Sequence, residues 1–348
     1  MTKDSLYNLT LESFPYDEAK IMGKWVYKKL NFNPDTWEHA PRVVREKAKE
    51  YDLSLLKILW QGLSKDGTRK FLLGLKDKNS IEAVLIESEN DKRLRSTLCI
   101  SSQVGCAIGC TFCHTATQGL TRHLTTAEIV GQYLTVSSWM RENVDKDYQI
   151  SNIVFMGQGE PLHNFENVKK ACYLLTDPLG IALSKNKVTI STSGLVPKIK
   201  QWEELPDVNV AISLHAIRNN LRSELMPINK RYQVDGLLEA LKTIPVKNSR
   251  RIMYEYLLIK DLNDTQEDID GLIENLPKKE SKINIIPFNE YPESKFKRPS
   301  DEHIEWFQRS LQAAGLTCTV RETKGDDILA ACGQLKTQYE KLNLPNSN

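Results

Sequence analysis

Cys106, Cys110 and Cys113 form a C-x3-C-x2-C arrangement within SSQVGCAIGCTFCHTATQGLTR, residues 101–122. That spacing lets three thiolates from one loop converge on a single inorganic centre. Iron–sulfur clusters are normally held by four Cys thiolates, so three leave one iron open to a non-protein ligand. Cys110 and Cys113 alone make a C-x-x-C pair, which would equally suit a redox dithiol or half a zinc site. The missing fourth ligand speaks against structural zinc, and His114, adjacent to Cys113, is poorly placed to close the same tetrahedron. Phe112, between the last two ligands, would shield a cluster from water.

The residues around this loop read as alternating strands and helices. Strand signals are STLCISS, SNIVFMG, KVTISTSG, VNVAISLHA, RIMYEYLLIK, SKINIIPFN and LTCTVRE. Helical spacing falls between them, at residues 126–140, 165–175, 196–204, 234–244, 265–276 and 302–314. Such alternation predicts parallel βα units, and six or seven of them an α/β barrel or partial barrel. Polar residues follow the strands: Gly157-Gln158-Gly159-Glu160-Pro161, Ser191-Thr192-Ser193-Gly194, Ser213-Leu214-His215 and Pro287-Phe288-Asn289. The carboxyl-terminal rim carries the active site of such barrels, so these residues can meet although far apart in sequence. Singly, each reads as an ordinary turn residue or local hydrogen-bonder.

The chain has 348 residues and a formal net charge of +2, from 47 Lys+Arg against 45 Asp+Glu. That balance neither demands nor excludes a polyanionic partner. The amino terminus lacks a basic segment followed by an apolar one, and no apolar run approaches the length of a membrane span, so the expected address is cytoplasmic. Seven cysteines, clustered rather than evenly spaced, suggest metal or redox use in a reducing compartment over a structural disulfide frame. Residues 1–75 read as a helical accessory domain, whose basic face at Arg42, Arg45, Lys47 and Lys49 reads on its pattern alone as a solvated helix surface and would also suit a polyanion such as RNA. KFLLGLKD, from residue 70, and SIEAVLIES, from residue 80, read as strands, with a linking element expected over 76–96, a catalytic core over 97–335, and a tail over 336–348. The other basic clusters are Lys92 to Arg95, Lys230 with Arg231, Arg250 with Arg251, and Lys295 to Arg298. They stand near Tyr232, Tyr254, Tyr291 and Phe296. Such clusters suit phosphates and stacked unpaired bases, or are solvated faces.

The cysteine loop, with an aromatic residue before its last Cys, resembles that of the radical S-adenosylmethionine (SAM) enzymes. Seven blocks extend the resemblance in order over nearly the whole chain: LCISSQVGCAIGCTFC, FMGQGEPLHN, LSKNKVTISTSGLVP, VAISLHA, MPINKRY, INIIPFN and RETKGDDILAACGQL. They are similar to the RlmN family of RNA adenine-C2 methyltransferases. The related Cfr family, which acts at adenine C8, shares several blocks but carries Ala and Arg where this chain has Pro161 and Pro287.

The resemblance implies a partial (βα)6 barrel of the radical SAM type, with a [4Fe-4S] cluster on Cys106, Cys110 and Cys113. SAM would complete the open iron and contact Gly159, Glu160, Ser191, Ser213, Leu214, His215 and Asn289. Cys332 would accept a methyl group from SAM, and Cys99 would resolve the RNA-linked intermediate through a transient disulfide with Cys332. Glu82 would take the C2 proton; as a strand residue it could equally be solvated. Cys172 and Cys318 match no motif and read as core. The implied partners are 23S rRNA, tRNA and a flavodoxin or ferredoxin as electron donor, for a chain acting as a monomer. The competing expectations are a C8 methyltransferase and, in a different class, an RNA-binding protein with a structural zinc.

Overall fold

Pro15 and Pro41 each start a helix, having no backbone N–H to leave unsatisfied at that position. They open α1 (Tyr16–Gly23), which continues as a five-residue π-helix to Lys28, and α2 (Arg42–Ala48). The structure, a computed structural model, describes residues 14–90, 93–245, 250–290, 294–330 and 335. Cys332, Lys92, Tyr291 and the tail over 336–348 lie outside the described residues.

The stretch read as helical turns to strand before residue 75. β1 (Lys57–Leu63) pairs antiparallel with β2 (Arg69–Gly74), and β2 with β3 (Ser80–Asn90). The exposure of β1 alternates only weakly, so its sequence carries little period-2 signal, and pairing with the largely buried β2 decides its conformation. β3 pairs antiparallel with β4 (Arg93–Cys99), which opens the run of parallel strands.

A small hairpin follows, β5 (Gln103–Gly105) with β6 (Leu120–His123), and then α3 (Thr126–Asn143). Thr125 caps α3 in a reciprocal box with Glu128, satisfying two amide donors at once. The chain then alternates through β7 (Asn152–Phe155), α4 (Phe165–Thr176), β8 (Val188–Thr192), α5 (Val196–Ile199) and β9 (Asn209–Ser213). It continues with α6 (Asn219–Leu225), α7 (Val234–Leu241), β10 (Ile252–Leu258), α8 (Gln266–Asn275), β11 (Ser281–Pro287), α9 (Asp301–Ala313) and β12 (Thr317–Val320).

One ten-stranded sheet results, ordered β1-β2-β3-β4-β7-β8-β9-β10-β11-β12, with every pairing from β4 onward parallel. The six strands β4 and β7 to β11, each followed by helix, make the partial (βα)6 barrel that the alternation predicted. β8 is buried at every position, the mark of a parallel strand covered on both faces. The antiparallel strands β1 to β3 extend the same sheet beyond β4.

Candidate functional site

The cysteine loop is closed at its base by the β5–β6 pair. Gly105, at φ +74°, allows the closure: a Cβ there would lie 1.8 Å from the Gly119 carbonyl oxygen. The Cys106 N–H donates to that same carbonyl at 2.8 Å, and the Thr111 N–H ties the loop tip to Leu225 O, at the end of α6, at 2.9 Å. Cys106, Cys110 and Cys113, all partly buried, line one cavity inside the carboxyl end of the barrel. Phe112 is buried and meets the His215 ring edge-on at 4.9 Å.

Burial pushes the Cys106 thiol up to about 12 and the Cys110 thiol well above its usual range, and the neighbouring thiols raise both further. Three such groups ionise together only against a cationic centre, which reverses the local acid–base preference. Among the described residues no three Cys, His, Asp or Glu side chains meet as a single-ion site. Three thiols in one cavity suit a cluster whose remaining iron takes a non-protein ligand.

The strand ends meet the loop as expected. Gly159, Glu160, Ser191, Ser213 and His215 all line the cysteine cavity. Gly159 sits at φ +101°, and a Cβ would meet the Gln103 side chain at 2.5 Å, so only glycine lets the loop approach so closely. Glu160 is buried, and its carboxylate accepts from the Leu162 N–H at 3.0 Å and the Ser193 N–H at 2.7 Å. Burial raises its pKa, while these hydrogen bonds pull the other way. His215 is buried with φ +56°, and its Nδ1 accepts from the Leu257 N–H at 3.0 Å, which leaves Nε2 as the protonated nitrogen of the neutral ring. Burial, and then the charge of Arg222, lower its pKa to about 3.

Two residues of the predicted set stand apart. The Leu214 side chain is fully buried in the main core, and its backbone rather than its side chain serves the rim: its N–H donates to Glu255 O at 3.0 Å. Asn289 lines a second, adjoining cavity and accepts from the Thr323 hydroxyl at 2.7 Å. Cys99 also lines this second cavity. Met156, Ile286 and Arg321 border both cavities.

Cys99 pairs across the sheet with Val84 and packs with Ala330 and Leu335, the described residues on either side of the segment containing Cys332. The Leu335 carbonyl accepts from the Thr115 hydroxyl at 2.5 Å, which ties that flank to the cysteine loop. Glu82, two residues before Val84 and so on the same face of β3, is buried rather than solvated, with Lys70 Nζ at 2.9 Å from its carboxylate. Lys70 also donates to Leu329 O at 3.0 Å.

Several residues that position the site had no motif to reveal them. Gln103 accepts from the Glu160 N–H at 2.8 Å, Gln158 from the Glu82 N–H at 3.3 Å, and Gln132 holds both polar backbone groups of Ser101 at 2.8 Å. Arg222, on α6, is wholly buried beneath the rim. Burial lowers its pKa to about 10, opposed by the Cys110 thiol. Gln103 and Gln158 fall inside the motif blocks, whereas Gln132 and Arg222 lie outside them.

Residues 100–274 match the model of the radical SAM superfamily. The chain is 43% identical over 355 residues to a dual-specificity RNA methyltransferase RlmN from Nitratiruptor sp., covering 99% of this chain and 98% of that protein. An RlmN from Campylobacter lari is 44% identical over 352 residues, covering 98% and 97%. This chain belongs to the RlmN family. It is a radical SAM RNA methyltransferase, and its cofactors are a [4Fe-4S] cluster and SAM. The crystal structure of a radical SAM methyltransferase from Sphaerobacter thermophilus superposes with a TM-score of 0.87 at 36% identity, over 96% of this chain and all of that one.

The aromatic residues expected to stack on RNA are only partly available. Tyr254 and Phe296 are buried, because they fill the sheet interior and the cluster beside the cysteine loop. Arg250 is held by Asp207 at 2.8 Å and Lys47 by Glu18 at 2.5 Å. Tyr232, partly exposed beneath the Arg231 guanidinium at 5.4 Å, keeps a suitable place. Among the described residues no helix is long and apolar enough to cross a membrane.

Proposed function

We propose that the chain methylates C2 of one adenosine in the peptidyl-transferase region of 23S rRNA and of the adenosine 3′ of the anticodon in some tRNAs. The reading is carried by the place of Cys99: in a cavity adjoining that of the cysteine loop, packed against both described flanks of the Cys332 segment. A thiol that borders a cofactor region and packs against the flanks of a second cysteine's segment suits a methyl relay through sulfur.

Cys106, Cys110 and Cys113 hold the cluster, and Gly159, Glu160, Ser191, Ser213, His215 and the Leu214 backbone, with Asn289 at the border, position SAM. Bound cluster and SAM supply a transferable methyl group and the one-electron chemistry that activates it. Cys332 carries the methyl as a thioether, since a thiolate is a strong nucleophile. Glu82 accepts the C2 proton, kept as a carboxylate by Lys70. The Cys99 thiolate then attacks the Cys332 sulfur. An S–S bond forms and that sulfur's bond to the transferred carbon breaks. The carbon, by then joined to C2, keeps the bonding pair and takes a proton to become the methyl group of the released base. The disulfide needs an external dithiol to reopen, and the cluster draws electrons from a flavodoxin or ferredoxin. We place the protein in the cytoplasm, acting as a monomer with an RNA-contacting amino-terminal region.

Mass spectrometry of nucleosides from separated rRNA and tRNA tests this in a strain lacking the protein. 2-Methyladenosine is expected to vanish from both and to return with the parent chain but not with Cys332→Ala. Unchanged 2-methyladenosine overturns the reading; loss of the 8-methyl isomer instead assigns the C8 activity; loss from rRNA alone removes tRNA as a substrate.

A further inference from the structure

Arg222 is fully buried and makes four hydrogen bonds, every one to an uncharged oxygen. Nε donates to Leu214 O at 2.9 Å, Nη1 to Asn229 Oδ1 at 2.9 Å, and Nη2 to Ser193 O at 2.8 Å and Ser213 O at 3.0 Å. Among the described residues no carboxylate forms an ion pair with it. Glu160 is spent on the Leu162 and Ser193 amides. The titratable groups that bear on the guanidinium are the Cys110 thiol and the His215 ring, and of these only the thiol can become an anion.

A buried cation whose hydrogen bonds are satisfied still carries a large desolvation cost until an anion faces it. The described residues supply none beyond the cysteine loop, so the compensating charge is assigned to what that loop holds. We propose that Arg222 is a positioning residue whose guanidinium balances the negative charge of the centre on Cys106, Cys110 and Cys113 and favours its reduced form. This rests on the iron–sulfur reading of the loop and adds the residue that sets its charge environment. Three thiolates outweigh the charge of an oxidised [4Fe-4S] core, and an added electron deepens the excess. A fixed cation in a low-dielectric surrounding therefore favours reduction, as charge and hydrogen bonding tune such clusters generally. The planar fork suits the task, because it grips the carbonyls at the ends of β8 and β9 and keeps its proton at neutral pH.

The test uses the full chain reconstituted anaerobically with iron and sulfide, as parent, Arg222→Gln and Arg222→Lys. Cluster reduction is followed by electron paramagnetic resonance during a dithionite titration. The Gln variant should retain iron yet show a several-fold smaller reduced fraction at a fixed potential, its midpoint being more negative. The Lys variant should acquire a midpoint that falls as pH rises, because a buried amine loses its proton where a guanidinium does not. Glu160, His215 and the loop thiols face the same region in both proteins, so their titration cancels in the difference. A Gln variant with the parental midpoint overturns the proposal. If that variant does not fold, a Lys variant whose midpoint follows the parent at every pH overturns it equally. A parent chain that takes up no iron–sulfur cluster refutes the underlying reading instead, so the two failures are distinguishable.

Discussion

Among the described residues one lysine, Lys70 beside the barrel, and one arginine, Arg222 within it, are buried, and their surroundings differ in one respect. Lys70, on β2, faces the Glu82 carboxylate at 2.9 Å and the Leu329 carbonyl at 3.0 Å. Arg222, beneath the opposite rim, meets only neutral oxygens. The Lys70 region is electrostatically complete within the protein, its cation facing a carboxylate. The Arg222 region is complete only with an anionic guest. The antiparallel extension thus brings Glu82, the proposed proton acceptor, to the barrel already paired with a cation, whereas the parallel core sets a buried cation beside the cysteine loop.

The largest expected effect is at the ligand-completed end. Cys110→Ser should lose both the cluster and all methylation, read by iron content and by label transfer from SAM to RNA. Gly105→Ala should approach the same result without touching a ligand, because its Cβ would collide with the Gly119 carbonyl. A Gly105→Ala protein with normal iron content would mean that the hairpin does not set the loop.

At the protein-completed end the loss should appear in stability. Lys70→Met leaves Glu82 buried without its cation, an expected cost of about 3–5 kcal/mol in urea denaturation. Adding Glu82→Gln should recover much of it; equal stability of the single and double variants would break the contrast drawn above. Cys99→Ala should instead spare stability and trap protein covalently joined to RNA, visible as a slower band that ribonuclease removes. RNA product released at the parental rate would rule out the resolving role.

A smaller effect comes from His215. Its folded pKa of about 3 lies below the ordinary 6.5, so the unfolded chain binds the proton first on acidification. Its contribution to stability is complete above about pH 6.5 and declines as pH falls toward 3. The parent should therefore lose stability over that window faster than His215→Gln; parallel slopes would contradict the buried neutral ring. The smallest effect is at the cap of α3, where Thr125→Ala should cost about 1 kcal/mol in the same assay.

Much of this was legible in the chain itself. The parallel strands and most of the helices between them were visible because their apolar periods match their burial, and the rim residues because they end those strands. β1 escaped because KILWQGL alternates too weakly to declare itself before it is paired. α6 escaped because RNNLRSEL, a short polar stretch, looks like a solvated turn. Arg222 was hidden for the same reason: its burial comes from strands β8 and β9 folding over it, a tertiary fact with no local trace. Tyr254, read as a base-stacking platform, belongs to the core because its strand position points away from the cavity side where Glu255 lies.

The claim that the cysteine loop is completed by an inorganic anion is tested most directly by purifying the full chain without oxygen and reducing it with dithionite. A brown protein is expected, with iron and sulfide in equal amounts and a paramagnetic resonance signal that changes when SAM is added. A colourless, iron-free, zinc-loaded protein would contradict it.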